Sequence, residues 1–79
     1  MAISGLTIQA RKGESEQLQK ELQAFPQLSV EAISPKEEIV AVLEEKTLDR
    51  LHKTCLQIEK LPHVLGVYPS YITTEDEKE

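Results

Sequence analysis

The chain holds one cysteine, one methionine, one phenylalanine, two tyrosines and no tryptophan among its 79 residues. A lone Cys55 excludes an intramolecular disulfide, so a domain this small must rest on aliphatic packing or on association. An unpaired thiol also suits a reducing compartment. The scarcity of aromatics excludes the stacking platform on which single-stranded nucleic acids lie. Nine Lys and Arg face fourteen Asp and Glu, for a net charge of −5. No basic cluster exists to meet a phosphate backbone, so nucleic acid is not an expected partner. No run approaches the ~18 apolar residues of a membrane span. Met1–Ala10 has neither a basic start, a long apolar stretch nor a cleavage site, so no secretory signal is read and the expected location is cytoplasmic.

What is present is strand–helix–strand, written twice. The first copy reads LTIQA, ESEQLQKELQAF and LSVEAI; the second reads EIVAVLEE, TLDRLHKTCLQIEKL and VLGVYPSY. Leu6, Ile8 and Ala10 alternate with Gly5, Thr7 and Gln9, the period of a half-buried strand. Leu18, Leu22 and Phe25 form a helical stripe, with Ser15 the expected N-cap and Pro26 the stop. Leu28, Val30 and Ala32 alternate with Ser29, Glu31 and Ile33. Ser34-Pro35-Lys36-Glu37 reads as a turn. The apolar run from Ile39 reads as a central strand, with Ile39, Ala41 and Leu43 toward the helices and Val40, Val42 and Glu44 on the open side. A carboxylate such as Glu44 is cheaper beside water than under a helix, and this sets the phase. Thr47 caps a second helix whose stripe is Leu48, Leu51, Cys55 and Ile58. Leu65 and Val67 alternate with Gly66 and Tyr68 in a last strand. Pro69 cannot donate to a ladder, which places that strand at an edge or on a bulge.

Two right-handed crossovers joined by a hairpin give the ferredoxin-like βαββαβ arrangement of the α+β class. The expectation is a four-stranded antiparallel sheet with both helices on one face, and with the first and third strands central. One such domain is expected over residues 1–74. The acidic stretch 75–79 supplies −3 of the net charge and reads as a disordered tail. The sheet face opposite the helices is left without cover and is the candidate binding surface.

Reactive chemistry is not legible. The first loop, Ala10 to Glu14, lacks the Cys-x-x-Cys of a copper carrier. Cys55 falls in an apolar stripe and reads as packing, while His52 and His63 read as surface histidines. No acid pair has an apolar pocket to raise a pKa, and Gly5 and Gly13 make no phosphate cradle. No catalytic residue, metal or cofactor is therefore expected, and the chain does not read as an enzyme. Leu56 points away from its stripe and reads as an ordinary exposed leucine.

Four segments carry a resemblance: Ser4-Gly5-Leu6-Thr7-Ile8-Gln9-Ala10, Leu22 through Pro26 (LQAFP), Ile39-Val40-Ala41-Val42, and Val64-Leu65-Gly66-Val67 with Tyr71 and the acidic end. Together they resemble the NapD family, over essentially the whole chain and in the same order of elements. The resemblance implies a cytoplasmic assembly chaperone of the periplasmic nitrate reductase that performs no catalysis. It further implies binding of the twin-arginine signal peptide of the catalytic subunit, as a helix against the sheet. That binding would hold back export while the molybdenum cofactor is inserted. Gly5, Thr7, Val40, Val42 and Gly66 are small or aliphatic and suit an amphipathic helix, with Gln9 and Tyr68 on the same face. Glu31 and Glu44 are expected to meet the arginines. Gly5 and Gly66, on neighbouring strands, are expected to leave a shallow trough. Pro62-His63 and Pro69 depart from the family pattern and leave the path of the last strand open. The alternative is an amino-acid-binding regulatory domain of the same fold, against which stands the missing Gly-rich strand–helix loop. No oligomeric state is read from the chain.

Overall fold

The structure, a computed structural model, describes residues 1–74; the tail expected at 75–79 lies outside the described residues. The elements run β1 (Ala2–Ala10), α1 (Ser15–Leu22), β2 (Leu28–Ile33), β3 (Glu38–Glu45), α2 (Leu48–Glu59) and β4 (Val64–Thr74). The strands form one antiparallel sheet in the order β2-β3-β1-β4. This is the expected ferredoxin-like α+β fold, with β1 and β3 in the middle.

The alternation read for β1 and β3 holds. Leu6, Ile8, Ala10, Ile39, Ala41 and Leu43 are buried against Leu18 and Leu22 of α1 and Leu51 and Ile58 of α2, all at 1% exposure or less. Each Leu or Ile so buried contributes roughly 1.5–3 kcal/mol. Phe25, Leu48 and Cys55 pack on the same cluster from its margin.

The edge strands differ from the expectation, and bulges are the reason. In β2 the register slips between Val30 and Ala32, so Glu31 and Ala32 together oppose Val40. Leu28, Val30 and Ile33 then pair with the core residues Leu43, Ala41 and Ile39, and Ala32 moves to the open side. In β4 one slip falls between Gly66 and Val64 and a second between Tyr71 and Pro69. Val64 and Val67 are both buried, while Leu65, expected to share the face of Val67, is 57% exposed. An extra residue reverses the face of everything beyond it. Pro69 sits beside the second bulge on an edge strand, as its missing N–H requires.

Both helix starts are capped, by different means. Thr47 accepts from the Arg50 N–H at 3.2 Å, as its position predicts. Ser15 is not the N-cap of α1: it is the first helical residue, and Glu14 before it makes no side-chain cap. The cap comes from across the molecule. The Glu37 carboxylate accepts from the Gly13 N–H at 2.8 and 2.7 Å and from the Ser15 N–H at 3.3 Å. Gly13, at φ +80°, gives the loop the left-handed turn that aims these donors. Helix α1 ends at Leu22 rather than running to Phe25. Gln23, Ala24 and Phe25 instead donate to carbonyls three residues back, at 3.2, 3.1 and 3.0 Å, a tightened turn that leads into Pro26.

Candidate functional site: the open face of the sheet

The face opposite the helices is built from four strands in fixed register. On β1, Gly5 pairs with Val42 of β3 and Tyr71 of β4; Thr7 pairs with Val40 and Tyr68; Gln9 pairs with Glu38 and Gly66. Ile3 extends the row and pairs with Glu44 and Thr73. Val40, Tyr68 and Tyr71 are 42%, 59% and 49% exposed, the mixture of aliphatic and aromatic surface that anchors partners at interfaces.

Of the residues singled out in the sequence, Gly5, Thr7, Val40, Val42, Glu44, Gly66 and Tyr68 lie together on this face. Gln9 lies there too, but its side-chain amide donates to the Lys36 and Ala10 carbonyls, each at 3.1 Å. It fastens the β2–β3 turn to the sheet. Glu31 stands on the bulge of the outer strand, opposite Val40. That is four residues along from Glu44, or about 13 Å at the rise of a strand, so the two carboxylates do not act at one point.

The trough expected over Gly5 and Gly66 is filled. A methyl group placed on Gly5 would collide with the Tyr71 ring, whose Cδ2 would stand 2.9 Å from it. A methyl group on Gly66 would meet Tyr68 in the same way, with Cζ at 2.7 Å. Each missing side chain has become the seat of a tyrosine. Tyr68 lies back over its own strand, whereas Tyr71 crosses to the central strand β1. Sequence reasoning did not place Tyr71, because Pro69 and the bulge hid its phase. It also missed Ile3, which continuing the β1 alternation by one step would have found.

The electrostatics of the face are one-sided. The residues it takes from β1, β3 and β4 include Glu38 and Glu44 but no Lys or Arg. Among the described residues the Glu44 side chain makes no hydrogen bond or ion pair, and it is exposed. At its end the face runs into a cleft of about 480 Å³, where Glu44 and Ser29 share the lining with Met1, Gln27, Lys46 and Arg50. On the other side of the sheet, Leu51, Cys55, Leu56 and Ile72 line a smaller groove of about 300 Å³ between α2 and β4. Burial and the nearby Glu59 push the Cys55 thiol up, away from the reactive thiolate. No group of three or more His, Cys, Asp or Glu among the described residues is arranged to hold a metal.

A small ferredoxin-like sheet with helices on one face, and an acidic, partly aromatic surface exposed on the other, defines the class. The model of the NapD protein family matches residues 1–76, and the chain belongs to the NapD family. Among solved structures, it is similar to that of the E. coli Tat proofreading chaperone protein NapD, determined in solution. The TM-score is 0.81 at 24% identity, over 98% of this chain and 82% of that one, a likeness of fold. No curated protein matches the chain in sequence.

Proposed function

We propose that the chain is a cytoplasmic chaperone, not an enzyme, that binds the twin-arginine signal peptide of the periplasmic nitrate reductase catalytic subunit. The peptide lies as a helix on the open sheet face and is held from export while the molybdenum cofactor enters its enzyme. Family membership supports the role. The observation that carries the site is the exposed face itself, aliphatic and aromatic along its centre, with Glu38 and Glu44 but no Lys or Arg among its residues from β1, β3 and β4. A signal of this kind joins a basic start to an apolar stretch, which is the complementary pattern.

The alternative, an amino-acid-binding regulatory domain, would use the amides at the start of α1 to hold a ligand carboxylate. Glu37 already occupies them, and its hold draws that carboxyl below its ordinary range, the Gly13 N–H being the main cause.

Titration calorimetry with the synthetic signal peptide tests the proposal. Wild type should bind with a measurable Kd. Val42→Asp, which sets a charge against the apolar side of the guest, should weaken it by about tenfold or more. Its melting temperature should fall by no more than about 8 °C, the effect of a poor strand former in a domain of this size. Glu44→Lys should weaken binding most at low salt. Absence of binding by wild type to any cognate signal peptide would rule the reading out.

A further inference from the structure

The geometry points to a dedicated seat for one arginine of the guest peptide: the face of the Tyr71 ring, held on Gly5, beside the exposed carboxylate of Glu44. The inference rests on the signal-peptide reading above and deepens it by naming where the guanidinium goes.

Three observations converge. The Tyr71 ring occupies the space of the missing Gly5 side chain, so it lies over a central strand with its outer surface exposed. Gly5 is directly opposite Val42, and Glu44 is the next residue of β3 on the same face, opposite Ile3. In an antiparallel pair such diagonal positions stand about 7–8 Å apart. A guanidinium stacked within about 6 Å of the ring centre is therefore in reach of the Glu44 carboxylate, which is exposed and has no hydrogen bond or ion pair among the described residues. The cation would find a π surface below it and a carboxylate beside it, the pairing that favours planar Arg over Lys. Tyr68 offers no equivalent seat. Its ring stays on the edge strand over Gly66, whose row leads through Gln9 to Glu38 on β3, and the Gln9 amide is already bound to the turn.

Glycine at position 5 follows from this seat, since any side chain there would push the ring off β1. Gly5→Ala and Tyr71→Leu should thus share a phenotype. The first keeps the ring but displaces it; the second keeps an apolar cover but removes the π face.

A double-mutant cycle decides the matter. Wild type, Tyr71→Leu, Tyr71→Phe and Tyr68→Leu are titrated with the synthetic signal peptide and with versions carrying Lys-Lys or Ala-Ala in place of the two arginines. Circular dichroism checks that each variant is folded. Tyr71→Leu should weaken the arginine peptide about five- to tenfold, the range of a partly desolvated cation–π contact. It should change the Ala-Ala peptide less than about twofold, and the Lys-Lys peptide by an intermediate factor. Tyr71→Phe should bind as wild type does. Tyr68→Leu should weaken all three peptides alike. Equal losses for the arginine and Ala-Ala peptides on Tyr71→Leu would overturn the seat while leaving the signal-peptide reading intact. Failure of wild type to bind any of the peptides would overturn both.

Discussion

Glu37 has φ 63°, a left-handed backbone that residues with a side chain rarely adopt. It follows Pro35 and Lys36 in a turn closed by the Glu37 N–H on the Ser34 carbonyl at 2.9 Å, where glycine is the ordinary choice. The carboxylate explains the exception, because it reaches the Gly13 and Ser15 amides and ties the hairpin turn to the start of α1. These hydrogen bonds favour the charged form and lower the carboxyl pKa from its ordinary 4.5. A depressed carboxyl contributes stability that is present above 4.5 and lost as pH falls through the folded value. Wild type should therefore lose melting temperature more steeply below pH 4.5 than Glu37→Gln, which should already melt lower at pH 7. Equal slopes in the acid limb would refute the cap. A second polar contact is better shielded: the Thr54 hydroxyl donates to Glu45 Oε2 at 2.5 Å, with both residues buried. Thr54→Val keeps the shape and leaves the carboxylate without its donor, at a cost of about 1–3 kcal/mol, readable by urea unfolding.

At the scale of elements, the two halves are joined by a histidine that composition alone marks as ordinary. His63, just before β4, places Nδ1 2.7 Å from Glu14 Oε1 and Nε2 3.2 Å from Glu21 Oε2. Two carboxylates on two ring nitrogens call for both to be donors, hence for imidazolium. The hydrogen bond that His63 donates to Glu14 is the main cause that raises the pKa above 6.5, with Glu21 adding to it and desolvation opposing it. A raised histidine contributes stability that is fully present below 6.5 and lost as pH rises through the folded value. Thermal melts of wild type should fall over that rise, and those of His63→Ala should not. This link was invisible in the sequence because Glu14, Glu21 and His63 share no spacing. The same limit explains which strands were legible. β1 and β3 are central and continuous, so their alternation reports their faces directly. β2 and β4 are edges whose bulges, at Glu31 and on both sides of Val67, each reverse the phase beyond them. Pro69 announced an irregularity but not its direction, so the Tyr71 ring on Gly5 stayed out of reach of pattern reading.

For the whole molecule, one thin sheet must carry a core on one side and the proposed binding surface on the other. Strand β3 serves both with alternate residues, so neighbours one position apart should answer different experiments. Ala41 is fully buried beneath the helices. Ala41→Leu forces three extra carbons into a packed layer, which should cost about 1–3 kcal/mol, a large share of the stability of a domain this small. Its midpoint in urea should fall, yet the fraction still folded should bind the signal peptide with wild-type affinity. Val42→Asp, on the reverse side, should show the opposite split, with binding weakened about tenfold or more and stability in urea lowered by no more than about 1 kcal/mol. If Ala41→Leu weakened binding as much as Val42→Asp does, in conditions where both are folded, the sheet could not be treated as two independent faces. Coupling through the strand would then have to be part of the account of recognition.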